Sequence, residues 1–164
     1  RAREWSMVEE GSRAIIARHL DSVPVSVGAI ARDLGLKVLA ATLPVGVSGE
    51  IRPGGVGAGF TIKVNRHDSL ARQRFTVAHE IAHFLLHREQ IGSGISDDVL
   101  YRSSLSDQRE AEANRLAADM LMPDSAIQRF RQEAAGQSKE SMVTAIADAL
   151  NVSEAAVAIR LGIR

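Results

Sequence analysis

The segment TVAHEIAHFLLH, Thr76 to His87, constrains this chain more than any other stretch. It sets two imidazoles and a carboxylate on a helix whose other residues, Phe75, Val77, Ala78, Ile81, Ala82, Phe84, Leu85 and Leu86, are apolar nearly all round. A helix that is hydrophobic on every side is an interior helix. Ionisable side chains in an interior are costly unless something satisfies them. The chain must therefore fold as layers around this helix and bring a partner to its polar atoms, and a divalent cation is the partner whose chemistry fits.

His79-Glu80-Ile81-Ala82-His83 matches H-E-x-x-H. Residues four apart share a helix face, with about 6 Å between Cβ atoms, so two imidazoles can converge on one zinc. Glu80, rotated by about 100° from His79, cannot easily join them and is placed as a general base. The competing account, polar residues on an ordinary exposed helix, conflicts with the apolar surroundings. His87 stands about 12 Å from His79 along the axis and about 80° round, beyond a shared metal. No glycine turns the chain between His83 and His87, so His87 is read as structural or as a support for a ligand.

A hydrolytic zinc site needs three protein ligands and one open position. The downstream helix DQREAEANRLAADMLM offers Glu110, Glu112 and Asp119. At about 100° per residue, Ala113, Leu116, Ala117, Met120 and Leu121 form its apolar face, and Glu112, Arg115 and Asp119 lie opposite as a solvated charge set. Glu110, at the edge of the apolar face, is the carboxylate aimed inward. Its alternative is an acid favoured by the helix dipole. Asn114, one turn on, is placed to hydrogen-bond a ligand.

The remaining elements follow from periodicity. A helix is expected from Trp5 to Leu20, ending near Asp21 to Pro24, then a short helix stopped by Gly35. LKVLAATL, VSGEIR and GFTIKVN read as three strands of a small antiparallel sheet, with RPGGVGAG as a hairpin turn. Ser69 caps a helix from about Leu70 to His87. Residues 88–106 lack periodicity and read as a long mobile loop beside it. The expected fold class is α+β: a three-stranded antiparallel sheet against a helical zincin-like core, with residues 1–123 as the metallopeptidase domain. Residues 124–164 form a helical, helix-turn-helix-like annex in this reading.

Twenty basic and twenty acidic residues in 164 cancel, so no net field draws nucleic acid, and none is expected as a partner. The chain has no cysteine, which excludes thiolate chemistry and leaves a metal to His, Asp and Glu. No run of 18 or more apolar residues is present and the start is charged, so no membrane span and a cytoplasmic location are expected.

RQRFTVAHEIAHFLLH followed by EAEANRLAADMLMP resembles the ImmA/IrrE family of zinc metallopeptidases, and the fit extends from SGEIRP through LMP. The resemblance implies a gluzincin-like site, with zinc held by His79, His83 and Glu110 and Glu80 as catalytic base; the same ligands accept manganese or iron. Leu116 stands where family members often carry Phe. By the same resemblance, the substrate is an XRE-type helix-turn-helix repressor, whose cleavage releases stress, mobile-element or phage genes. Tyr101 is the candidate oxyanion donor, with a plain loop tyrosine as the alternative. The rival function is a non-catalytic regulator that binds a repressor or DNA through its C-terminal helices, with a structural metal.

Overall fold

The computed structural model describes residues 1–163. The expected first helix breaks in two, a 3-10 turn at Arg3–Met7 and helix α1 at Glu10–Ala17. Tertiary ties break it: Trp5 Nε1 donates to Asp119, while Glu4, 1% exposed, accepts from Arg115 at 2.8 Å. Those two ties anchor the chain start, and Val8 crosses between the helical pieces as buried extended backbone. Helix α2, Val27–Asp33, is capped by Ser26, which accepts from the Ala29 N–H at 3.3 Å. It ends at Gly35, whose φ of +81° suits glycine alone.

Strands β1 (Lys37–Ala41), β2 (Val47–Pro53) and β3 (Phe60–Asn65) follow in sequence. Helix α3 (Leu70–Leu86) starts at Ser69, which accepts from the Arg72 N–H at 3.2 Å. A fourth strand, β4 (Ile95–Asp98), precedes helix α4 (Asp107–Leu121), capped by Ser106. Helices α5 (Asp124–Glu133), α6 (Lys139–Leu150) and α7 (Glu154–Leu161) complete the described residues.

The class is α+β, but the sheet is not the three-stranded antiparallel one expected. It has four strands in the order β1-β3-β2-β4, and β1 runs parallel to β3. The connection through Pro44 and Gly46 is too long for a two-residue hairpin, and it carries the chain past the end of β3, which inserts between β1 and β2. Only β2 with β3 forms the hairpin that the glycine turn announces. β4 pairs antiparallel with β2 on the other side. Residues 88–106, read as a long mobile loop, thus contain one of the sheet's two edge strands; four residues with two aspartates were too short and too polar to signal it.

Helix α3 lies between this sheet and α4, in contact with β2, β3, α2 and α4. Ile51 and Ile62, paired across β2 and β3, are fully buried, as are Ile81 of α3 and Leu116, Ala117 and Met120 of α4. Gly49 of β2 permits the close approach: a Cβ there would overlap the Thr76 Cγ2 of α3 and stand 3.3 Å from the Glu80 carboxylate. Among the described residues no single helix is long and apolar enough to cross a membrane; α6 and α7 meet at a bend of 116° around Asn151. Arg74 joins them to α3 by donating to the Asn151 carbonyl at 3.2 Å and to the Val25 carbonyl at 2.8 Å.

The outer acids of α4 are not a solvated set either. Arg115 pairs with Glu4, Asp119 accepts from Trp5 and from the Ala2 N–H, and Glu112 turns to His87. Helical phase predicts the apolar face but is blind to a chain start returning over the polar one.

Gly49→Ala is expected to lower the unfolding free energy by about 1–3 kcal/mol through overpacking, read by urea denaturation. The Arg115 hydrogen bonds hold the Glu4 carboxyl below its ordinary value of 4.5. A carboxyl whose pKa is lowered on folding adds stability above its unfolded pKa and loses it as pH falls through the folded one. Glu4→Gln should therefore cost about 1–3 kcal/mol at pH 7, and the gap to the parent should close as unfolding is repeated at progressively lower pH below 4.5.

Candidate metal centre

His79 and His83, one turn apart on the buried side of α3, both present Nε2 toward the first turn of α4. Glu110 Oε1 lies 3.0 Å from His79 Nε2 and 3.2 Å from His83 Nε2. A fourth group comes from β4: Asp97 Oδ1 is 3.3 Å from His79 Nε2, and Oδ2 is 3.8 Å from His83 Nε2. The four donor atoms lie within 4.8 Å of one another and all four residues are buried.

The remote atoms of these residues are held in place. His79 Nδ1 meets Asn114 Oδ1 at 2.8 Å; an amide oxygen only accepts, so Nδ1 carries a proton and Nε2 is the ring atom left to bind a cation, which would displace the proton that the carboxylates hold there. His83 Nδ1 meets His87 Nδ1 at 3.0 Å, and His87 Nε2 meets Glu112 Oε1 at 3.0 Å. Burial holds His87 below the ordinary imidazole value against the pull of Glu112, so it is neutral. The one consistent arrangement has His87 donating to Glu112 and accepting from His83, which occupies His83 Nδ1 and leaves Nε2 as the atom facing the centre. Ser103 Oγ donates to the second oxygen of Glu110.

The charges at the centre want a cation. Burial pulls the His79 imidazole down, yet Asp97 and Glu110 outweigh it and push His79 up to about 9. Carboxylates that draw a proton so strongly draw a metal ion to the same atoms. Neither oxygen of Asp97 has a hydrogen-bond partner, and neither has one on Glu80, which is fully buried beside them. Burial, then the charges of Asp97 and Glu110, hold Glu80 well above the usual carboxylate range. Two imidazoles and two carboxylates, one of them Asp97 with no hydrogen-bond partner on either oxygen, fit a divalent cation that accepts nitrogen and oxygen ligands, zinc among them.

The residues singled out from sequence divide as follows. His79, His83 and Glu110 come together, Asn114 stands behind His79, and Glu80 lies beside the cluster, buried against β2. Tyr101 packs its ring 5.0 Å from the His79 ring, and its hydroxyl is shared with Thr76 Oγ1 at 3.1 Å. Beyond Tyr101 and Asn114 opens a groove of about 670 Å³, floored by Phe75, Ala118, Met122 and Ile159 and edged by Arg72 and Arg160. Sequence reasoning missed Asp97 and assigned Glu112 to the solvated face rather than to His87. The signal for Asp97 was a single alternation, Ile95 in, Ser96 out, Asp97 in. Glu112 had none, because its partner His87 is far away in sequence.

The Peptidase_M78 family model, described as the IrrE N-terminal-like domain, matches residues 31–162, from within α2 through α7. No curated protein matches the chain.

His87→Ala removes the group that orients His83 and should weaken divalent-cation binding by about 10–100-fold, measured by competition against a chromophoric chelator. His87→Ala binding as tightly as the parent would show that the Glu112–His87–His83 chain orients nothing.

Proposed function

The chain belongs to the Peptidase_M78 family, the IrrE N-terminal-like domains, and on that premise we propose that it is a zinc-dependent endopeptidase acting through His79, His83, Glu110 and Glu80. Membership carries a metallopeptidase-type function and a protein substrate. The observation that supports the residue roles is a buried carboxylate with no partner, Glu80, beside a convergent set of inward-facing donors.

His79, His83 and Glu110 would hold the cation, which when bound supplies Lewis acidity, polarising the scissile carbonyl and acidifying water. Asn114, and His87 with Glu112, keep the two imidazoles in the tautomer with Nε2 free. Glu80 takes a proton at a carboxylate oxygen from the attacking water and delivers it to the nitrogen of the leaving amine. Burial beside other carboxylates makes its anion basic, the property this role requires. Tyr101 is the proposed oxyanion donor: its ring lies on His79, and its hydroxyl would exchange Thr76 for the developing charge.

The substrate we propose is an XRE-type helix-turn-helix repressor in the cytoplasm, whose cleavage derepresses stress, mobile-element or phage genes. Its support is the resemblance in the two motifs and a groove, adjoining His79 by way of Tyr101 and Asn114, large enough for several side chains. The rival, a non-catalytic regulator braced by a structural metal, draws on Asp97, because structural zinc sites are closed by four protein ligands. It leaves the cost of burying Glu80 unexplained.

Incubation with the product of a neighbouring repressor gene, with and without a chelator, tests the reading. Glu80→Gln should reduce cleavage by about 10²–10⁴-fold with bound metal unchanged, measured by gel densitometry and elemental analysis of the same sample. Cleavage that survives this substitution undiminished removes Glu80 as the base and the peptidase assignment with it.

A further inference from the structure

We infer that Asp97 closes the metal centre at rest, as a fourth protein donor that strand β4 must withdraw before substrate can bind. The inference rests on the proposed metal site and adds its regulation. A catalytic zinc centre keeps one coordination position free, whereas four protein ligands make a centre that is saturated and inert. Here four side chains converge, and the fourth comes from neither of the two helices that supply the others.

Asp97 has no other occupation. It is 0% exposed, neither carboxylate oxygen has a hydrogen-bond partner, and the two oxygens stand 3.3 and 3.8 Å from the His79 and His83 nitrogens that point inward. A buried carboxylate whose nearest partner is one imidazole at 3.3 Å, with no hydrogen bond to either oxygen, is costly, and a shared cation relieves the cost. Glu110, by contrast, is fixed by Ser103 as well as by both histidines. One carboxylate is anchored from behind and the other is not.

The strand that carries Asp97 is the shorter of the sheet's two edge strands. β4 has four residues and a single neighbour, β2, and the register between them is broken at Val47 and Gly49. Positive φ angles flank it at Gly92, Gly94 and Tyr101, +56°, +145° and +55°. Short edge strands with few pairings sit at the low-stability end of a fold, where local opening is cheapest. Withdrawal of β4, hinged at the positive-φ Tyr101, would carry away Asp97 while the Tyr101 ring stays on His79, opening the donors toward the groove. A substrate or partner that pairs with β2 in place of β4 would have this effect.

The test uses the whole chain loaded with Co²⁺, whose visible spectrum reports its ligands, and acetohydroxamate as a probe for a free coordination position. The parent should bind Co²⁺ and leave its spectrum unchanged on addition of millimolar hydroxamate. Asp97→Ala should bind Co²⁺ about 10–100-fold more weakly and shift its spectrum with hydroxamate at concentrations at least tenfold lower; Asp97→Asn should fall between. A parent that takes hydroxamate as readily as Asp97→Ala overturns the closure, and a micromolar response of the parent does so alone, should the variant fail to fold. In either case Co²⁺ bound by the parent and lost in His79→Ala leaves the peptidase reading standing. A parent that binds no Co²⁺ sinks both.

Discussion

The burial of ionisable groups on α3 is the constraint from which the rest of the arrangement follows. Two imidazoles and a carboxylate at full burial cost more than the surrounding apolar contacts return unless their polar atoms are matched. The outward atoms are matched by protein: Asn114 for His79, and His87 with Glu112 for His83. The inward nitrogens face Glu110 and Asp97, in a space where two carboxylates and two imidazoles converge within 4.8 Å. That space is complementary to a cation and to little else.

Each neighbouring element can be understood by what it contributes to this centre. β2 carries Gly49 so that the sheet can close on Thr76 and Glu80 without displacing them. α4 begins with Ser106 as its cap, which sets the helical phase that turns Glu110 and Asn114 inward and Arg115 and Asp119 outward. The outward pair is then clamped by Glu4 and Trp5 from the chain start, so α4 is held on both faces. The proposed ligands His79, His83 and Glu110 therefore sit on packed helices, and the one candidate donor on an edge strand, Asp97, is the one assigned a moving part.

How much was legible in the sequence depended on the range of the interaction. The spacing of His79 and His83, the phase of Glu110 and Asn114, the cap at Ser69, and the β2–β3 hairpin are all settled over short stretches of chain, and a linear reading finds them. The order of the sheet is not, because β1 pairs with a strand two elements away and β4 pairs back across α3. The charges on the outer face of α4 were misread for the same reason, since Glu4 is 111 residues from Arg115. A reading from periodicity assigns such residues to solvent by default.

The sequence by itself determined that an interior helix would carry H-E-x-x-H, that a second helix would offer a carboxylate in the right phase, and, through the two motifs together, the family to which the chain belongs. Those follow from the 3.6-residue repeat, which is a property of the local backbone. Tertiary structure alone decided that four donors rather than three meet, that the fourth arrives on an edge strand, and that His83 is oriented through His87 by Glu112. These are contacts between segments whose separation no local period encodes, and they form only when the sheet and α4 close on α3 from opposite sides.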